Sequence, residues 1–347
     1  MVRVLFLGEN WFGSCARACC YALRRLGCDV RDVDVQTFFP QLRMLSSRAM
    51  LRLFSTRLLR EYNQQILEVA HNFKPDFLLA FKGTYVQPGT LRQLRSLGIE
   101  LYNYYPDRML LARGTLLERA ISEYDCLFDT KKQWDGDAAE RFHPRRRVFL
   151  PHGYDPEVHH PVELHDRDRK QFECDVCLIA THTSAKEASI SELLALRPKL
   201  DLKIWGNLWK EKCASVKVRS RVCGPAVTGM SYTKAVLASR ITLALMGVTP
   251  EAKDETSTRT YEVPACGGFM LHPRTPEVLD LFATGREIVC FDSVRQMGEQ
   301  VDYYLAHPDE RSAIARAGHA RCVPAYSYEN RMGEILRWHS KSNFPTG

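Results

Sequence analysis

No stretch of this 347-residue chain approaches the roughly 18 apolar residues that a membrane-spanning helix needs. The nearest, residues 235–248, is interrupted by Arg240. The first apolar run, residues 4–7, stops at Gly8 and Glu9, too short for the hydrophobic part of a secretory leader. A one-sided charge is missing too. With 48 basic and 41 acidic residues the net charge is +7, which is mild for this length. It suits an anionic substrate or a membrane surface and gives no ground for a nucleic-acid protein. Low-complexity tracts and short repeats are absent, and 45% hydrophobic with 26% charged residues excludes disorder, collagen and coiled coil as the main architecture. There is no second Cys pair to complete Cys174-Asp-Val-Cys177 as a zinc site, and residues three apart on a strand point to opposite faces. Most of the twelve cysteines sit in apolar stretches, and a chain this long does not need disulfides to fold. They read as reduced thiols of a cytoplasmic protein, with no metal.

What is present is a repeated alternation of strand and helix. Residues 2–8 read as a buried strand ending at a glycine, 16–26 as a helix ending at Gly27, and 28–35 as a second strand. Strand, loop, helix, strand is a βαβ unit. Strands at 76–81, 99–105, 124–129 and 147–150 and helices at 58–73 and 88–96 extend it into one Rossmann-like parallel sheet. A second series begins near residue 173, with strands at 174–180, 202–205, 241–245, 269–271 and 288–291. Its helices fall at 189–197, 232–238, 260–265, 276–281, 294–306 and 308–323. Between the two series, residues 151–170 are rich in Pro, His and Asp with no apolar period, and read as an interdomain linker. The fold class is α/β with two Rossmann-like domains facing a central cleft. Open parallel sheets bind ligands at the carboxyl ends of their strands, so two facing edges make a site for two substrates.

Candidate residues follow from that placement. The loop Gly8-Glu9-Asn10-Trp11-Phe12-Gly13-Ser14 lies between strand and helix, but it is not G-x-G-x-x-G, which argues against a dinucleotide. It reads equally as a cleft-lining loop or a plain turn. Lys82 and Asp107 each follow a strand. Asp107 is placed to take a proton from an acceptor hydroxyl, or to cap a turn. His152 sits at the hinge between Pro151 and Gly153, after the cationic run Arg145, Arg146 and Arg147. The densest constellation runs from Asp254 to Leu271. There a polar loop enters a short helix whose start carries Thr258, Arg259 and Thr260. Helix-start amides with an arginine and hydroxyls suit a diphosphate. Glu262, one turn on, shares a face with Arg259 and offers a carboxylate to vicinal ribose hydroxyls; the plain alternative is a surface ion pair.

Arg259-Thr260-Tyr261-Glu262, followed by Ala265-Cys266-Gly267-Gly268-Phe269-Met270-Leu271, resembles the C-terminal signature of the CgeB-like (spore maturation protein) glycosyltransferases, relatives of the retaining GT4-type group. Tyr326-Ser327-Tyr328-Glu329-Asn330-Arg331 resembles that family's closing motif, and residues 151–156 resemble the phrase opening its donor domain. The resemblance implies a GT-B fold. An acceptor domain would span residues 1–155, a nucleotide-sugar donor domain 156–325, and a helix in 326–347 would cross back to the first domain. It implies a hexosyltransferase-type enzyme that moves a sugar from a UDP- or GDP-sugar, used as substrate, with no cofactor and no metal. Retention of configuration is implied by the kinship.

By the same resemblance Glu262 holds the donor ribose, and Arg259 with Thr258, Thr260 and Lys186 neutralises the diphosphate. Asp254 stands where the wider group has an acidic residue near the transferred sugar. The usual glycine-rich loop is replaced by Ala180-Thr181-His182-Thr183-Ser184, from which Thr181, Ser184 and Lys186 supply hydroxyls and charge. Trp205 and Gly206 match a strand-end phrase beside the base. His152 and Asp107 are the candidates for acceptor or sugar contact.

The acceptor, a glycan, lipid-linked or protein hydroxyl, is scarcely marked. Residues 41–60 mix Arg43, Arg48, Arg52, Arg57 and Arg60 with Leu, Met and Phe. They read as exposed cationic helix, or as peripheral contact with the inner face of a membrane. The alternative function is a non-catalytic nucleotide-sugar or partner-binding protein on the same fold.

Overall fold

The computed structural model describes residues 1–39, 48–107, 115–132, 143–249 and 252–342. The chain divides into two units, residues 1–152 with 331–347, and residues 153–330.

Unit 1 begins with β1 (Arg3–Gly8), whose apolar residues are covered on both faces. Helix Cys15–Arg25 follows, opened by the Ser14 hydroxyl accepting the Arg17 N–H, and the chain returns as β2 (Asp29–Asp34), parallel to β1. Helix Arg48–Phe73 leads to β3 (Phe77–Phe81), and helix Pro88–Ser96, with proline in its first turn, leads to β4 (Glu100–Tyr105). β5 (Cys126–Asp129) and β6 (Arg147–Phe149) complete a sheet ordered β2-β1-β3-β4-β5-β6, parallel throughout. The chain order turns at the β1–β3 pair, so loops leave that point in opposite directions and open a crevice.

Unit 2 holds β7 (Cys174–Ile179), β8 (Leu202–Trp205), β9 (Val222–Gly224), β10 (Ser239–Leu243), a short hairpin β11 (Val248–Thr249) and β12 (Ala252–Lys253), β13 (Met270–Pro273) and β14 (Val289–Phe291). Its main sheet is ordered β14-β13-β10-β7-β8-β9, again parallel, with the turning point between β7 and β10. Both of its faces are covered by apolar clusters, as buried parallel sheets require.

The last helix, Tyr328–Ser342, belongs to unit 1 from Arg331 onward. Its Trp338 meets the Phe128 ring edge-on at 6.1 Å and His339 lies 4.7 Å from the Phe77 ring. Met332 and Ile335 are fully buried.

The boundary between the units falls inside 151–170, between His152 and Gly153, but residues 153–159 are packed into unit 2, and a helix, Asp166–Phe172, begins before the stretch ends. Tyr154, Asp155, Val158 and His159 are buried, and Tyr154 bridges to Ser327. Gly153 runs so close to residues 326–328 that an added Cβ would stand 3.0 Å from the Tyr326 carbonyl. Irregular backbone has no hydrophobic period, so its burial leaves no signature in sequence. Residues 41–47 of the cationic segment lie outside the described residues; Arg57 pairs with Glu61 at 2.7 Å.

Candidate functional site

Arg259 stands at the turning point of the unit 2 sheet. Its guanidinium donates to the Leu245 carbonyl just beyond β10 (3.0 Å) and to the Ile179 carbonyl at the end of β7 (3.4 Å). Its buried Nε has no hydrogen-bond partner among the described residues. A cation is thus fixed at the carboxyl ends of two central strands, where ligands of such sheets bind.

The local chain explains why Arg259 is there. Helix Thr258–Cys266 starts at this edge. The Ser257 N–H is donated to Thr260 Oγ1 (3.0 Å), which also meets His272 Nε2 (3.0 Å), while His272 Nδ1 faces the Pro273 carbonyl (2.7 Å). A nitrogen facing a carbonyl must carry the proton, so Nε2 accepts from the Thr260 hydroxyl. Burial lowers His272 to about 4, which keeps it neutral. Thr260 is fully buried, so its hydroxyl anchors the helix instead of lining the edge. The helix ends at Gly267, in the left-handed region at φ 86°.

Glu262 lies one turn from Arg259, on the same face. Burial pushes its carboxyl up to about 7, against the pull of Arg259 and of the Tyr232 and Thr258 hydroxyls. His159 Nε2 faces Glu262 Oε1 at 3.9 Å. The Asp155 N–H is donated to His159 Nδ1 (3.0 Å), so the His159 proton sits on Nε2. Burial lowers His159 to about 3, so it is neutral and Arg259 is the cation that Glu262 has.

The other wall follows β7. Thr183 opens helix Ser184–Leu196 by accepting the Lys186 N–H (3.3 Å). Lys186 is buried, its Nζ donating to the Thr181 carbonyl (3.2 Å), whereas the Thr181 and Ser184 side chains are exposed. His182 Nε2 meets Glu187 Oε2 at 2.7 Å, and Glu187 also accepts the Ser215 N–H (2.7 Å). These bonds hold Glu187 down at about 2. Trp209 Nε1 donates to the Ala180 carbonyl (2.7 Å), and a Cβ on Gly206 would fall 1.8 Å from that same oxygen. The loop therefore lacks glycines of its own but depends on Gly206 next to it. The Trp205 ring is turned into the core against Phe172 (5.6 Å), which leaves Gly206 as the member of that pair on the edge. Asp254 directly follows β12, its N–H donated to the Gly247 carbonyl (3.3 Å).

Unit 2 thus holds Thr181, Ser184, Lys186, Gly206, Asp254, Thr258, Arg259 and Glu262 around one sheet edge. Two expected residues belong to unit 1. Asp107 pairs with Lys82 Nζ (2.9 Å), and His152 is buried, its carbonyl accepting from Arg331 Nε (3.0 Å). Sequence reasoning missed Tyr232, His159 and His272. Tyr232 stood at the start of the helix read at 232–238, His159 lay in the supposed linker, and His272 fell just past the strand read at 269–271.

Residues 186–337 match the family described as glycosyl transferase-like. No curated protein matches the sequence. Among solved structures, sucrose-phosphate synthase from Thermosynechococcus elongatus aligns with a TM-score of 0.65 at 12% identity, covering 99% of each chain. HepE from Anabaena, in complex with UDP-glucose, aligns with a TM-score of 0.64 at 11% identity, over 98% of this chain and 100% of that one. A UDP-GlcNAc 2-epimerase from Neisseria meningitidis, bound to UDP-GlcNAc, aligns with a TM-score of 0.51 at 14% identity, over 98% and 100%. Likeness at such identities speaks for the fold and leaves the reaction open. The chain has the GT-B fold, and its residues 186–337, most of the second unit and the start of the last helix, match the glycosyl transferase-like family.

Proposed function

We propose that the protein is a glycosyltransferase that takes a hexose from a nucleotide sugar and passes it to a hydroxyl acceptor, with retention and without a metal. The observation that carries this reading is the Arg259–Glu262 pair. A cation fixed at the turning point of a parallel sheet and a buried carboxylate one helical turn away suit a diphosphate and the ribose next to it. Both residues lie within the stretch that matches the family.

In this reading Arg259 donates to the diphosphate while its other bonds hold it to the sheet edge. As the sugar–oxygen bond breaks, the electron pair goes to the diphosphate oxygen, the acceptor oxygen bonds the anomeric carbon from the same face, and the acceptor's hydroxyl proton passes to the departing diphosphate oxygen. A preorganised cation and the first amides of helices Ser184–Leu196 and Thr258–Cys266 stabilise that charge without reorganising. Thr181, Ser184 and Lys186 add donors from the second wall. Ionised Glu262 accepts hydrogen bonds from the ribose hydroxyls, and Asp254 faces the transferred sugar. His152 and Asp107 of unit 1 serve the acceptor or the sugar. Uridine is the base of choice, because HepE, alike in fold, was solved with UDP-glucose.

One observation favours a second reading, a nucleotide-sugar binder without turnover: Lys186 and Arg259 spend donors on backbone carbonyls. A thermal-shift panel with UDP, GDP, ADP, CMP and dTDP, with NADH as control, tests donor binding, since a ligand of the folded state raises the midpoint. UDP should give the largest shift. Arg259→Ala should weaken UDP by about 100-fold, the loss of a charge-assisted contact. No shift with any nucleotide would remove the assignment. Binding of UDP-glucose without hydrolysis or transfer, across glycan, lipid-linked and peptide acceptors, would favour the binder.

A further inference from the structure

A cavity of about 530 Å³ opens in unit 1 at the amino-terminal edge of its sheet. Its walls come from Glu100 at the start of β4, Asp125 just before β5, Arg145 and Arg146 just before β6, Arg95 near the end of helix Pro88–Ser96, and Trp338 of the last helix. This is the sheet edge opposite the strand ends that carry Gly8, Lys82 and Asp107. The volume is that of a small-molecule site, and the proposed transfer reaction uses none of these residues.

The chemistry of the lining narrows the occupant. Asp125 is spent: Oδ1 takes Arg95 (2.9 Å) and lies 3.5 Å from Arg145, and Oδ2 accepts the Leu101 N–H (2.9 Å). Arg95 also serves Glu123. Glu100 is held by the Tyr102 hydroxyl and by His339 Nδ1 (2.9 Å). Arg146 is exposed and has no ion pair among the described residues; its guanidinium lies 6.0 Å from the centre of the Trp338 ring. Among the described residues of the lining, three arginines stand against two carboxylates and leave one positive charge over. A nucleoside di- or triphosphate brings too much negative charge toward Glu100 and Asp125. A ligand with one anionic group and an apolar face to lay on the half-exposed Trp338 matches. A pyranose offers such a face through its C–H bonds, and its hydroxyls can donate to Glu100, whose two bonds both fall on Oε2.

We propose that this cavity binds an anionic pyranose, its charged group on Arg146 and Arg145 and its ring against Trp338. Two sources share that chemistry, a free hexose phosphate and a uronate unit of a glycan. The site is independent of nucleotide-sugar use.

Calorimetric titration of the full chain tests it, with glucose 6-phosphate and a glucuronate disaccharide as probes and glucose and inorganic phosphate as controls. At least one anionic sugar should bind about tenfold or more tighter than either control, the least that a charge-assisted contact added to a stacked ring should give. Arg146→Ala, at an exposed position, should weaken it by about tenfold, and Trp338→Phe by a smaller factor. UDP binding should be the same in both variants. Preference for glucose 6-phosphate identifies a free metabolite, and preference for the disaccharide identifies a glycan. Phosphate binding as tightly as glucose 6-phosphate, glucose binding as tightly as either anionic sugar, no binding of any probe, or wild-type affinity in Arg146→Ala would each overturn the proposal.

Discussion

The two parallel sheets end in edges of opposite character. At the turning point of unit 2, between β7 and β10, Glu262 and Lys186 are buried, and Arg259 is half-buried and already engaged, with Thr181 and Ser184 exposed at the rim. Arg259 is bonded to two strand ends, and burial pushes Glu262 up to about 7. Beside the turning point of unit 1, at the ends of β3 and β4, Lys82 and Asp107 pair with 33% and 47% of their side chains exposed. A cavity of only about 40 Å³ lies there, lined by Glu9, Lys82, Tyr62 and Tyr85 among others, and Trp11 and Phe12 of the neighbouring loop are exposed. A buried edge fixes one arrangement of donors in low dielectric, where a charge interaction is strong. An exposed edge stays hydrated and holds no single geometry. Under the proposed function the first suits the diphosphate and ribose that every donor of one base shares, and the second suits the acceptor.

The sharpest way to break that comparison is at the two strand-end glycines. Gly206→Ala would put a Cβ 1.8 Å from a backbone carbonyl, whereas Gly8→Ala would meet the Ala16 and Phe6 side chains at 2.8 and 2.9 Å. A backbone carbonyl pinned by Trp209 cannot give way as a side chain can. Gly206→Ala should therefore cost more than about 3 kcal/mol and Gly8→Ala about 1–2 kcal/mol, read from urea midpoints. Equal costs would mean that the two edges are packed alike.

The buried carboxylate sets the next effect. The folded value of Glu262, about 7, lies above its ordinary 4.5. Between those values the folded state keeps a proton that the unfolded chain has released, so stability falls as pH rises through that window and levels off above it. Glu262→Gln removes the charge and the loss. It should match wild type near pH 4 and exceed it at pH 8 by at most about 3 kcal/mol. A gap that does not change with pH would show that Glu262 is not desolvated. The smallest effect belongs to unit 1. Asp107→Asn breaks a half-exposed pair and should change stability by less than about 1 kcal/mol. A larger loss in the urea midpoint would mean that the unit 1 edge is as tightly built as its counterpart.

Much of this was legible beforehand, for local reasons. Helix Pro88–Ser96 is marked by proline at its start and an apolar repeat, and helix Val294–Ala306 by its repeat and by Pro308 beyond. Arg259 and Glu262 share a helix face by their spacing alone. The burial of residues 153–159 was not legible, because that segment has the composition of a loop and is covered by residues far off in sequence, such as Tyr326. Nor was the inward turn of Trp205 and Thr260: a strand or helix position does not say what lies beyond the side chain.

The sequence by itself determined the alternation of strands and helices, the two sheets, and the helix that carries Arg259 and Glu262, since all of these rest on periods of two and 3.6 residues and on capping over a few residues. Tertiary structure decided how Glu262 ionises, which nitrogen of His159 and His272 holds a proton, that Gly206 must be glycine, and that a cavity lies at the amino edge of unit 1. Each of these depends on what stands within a few ångströms, and those neighbours come from distant parts of the chain.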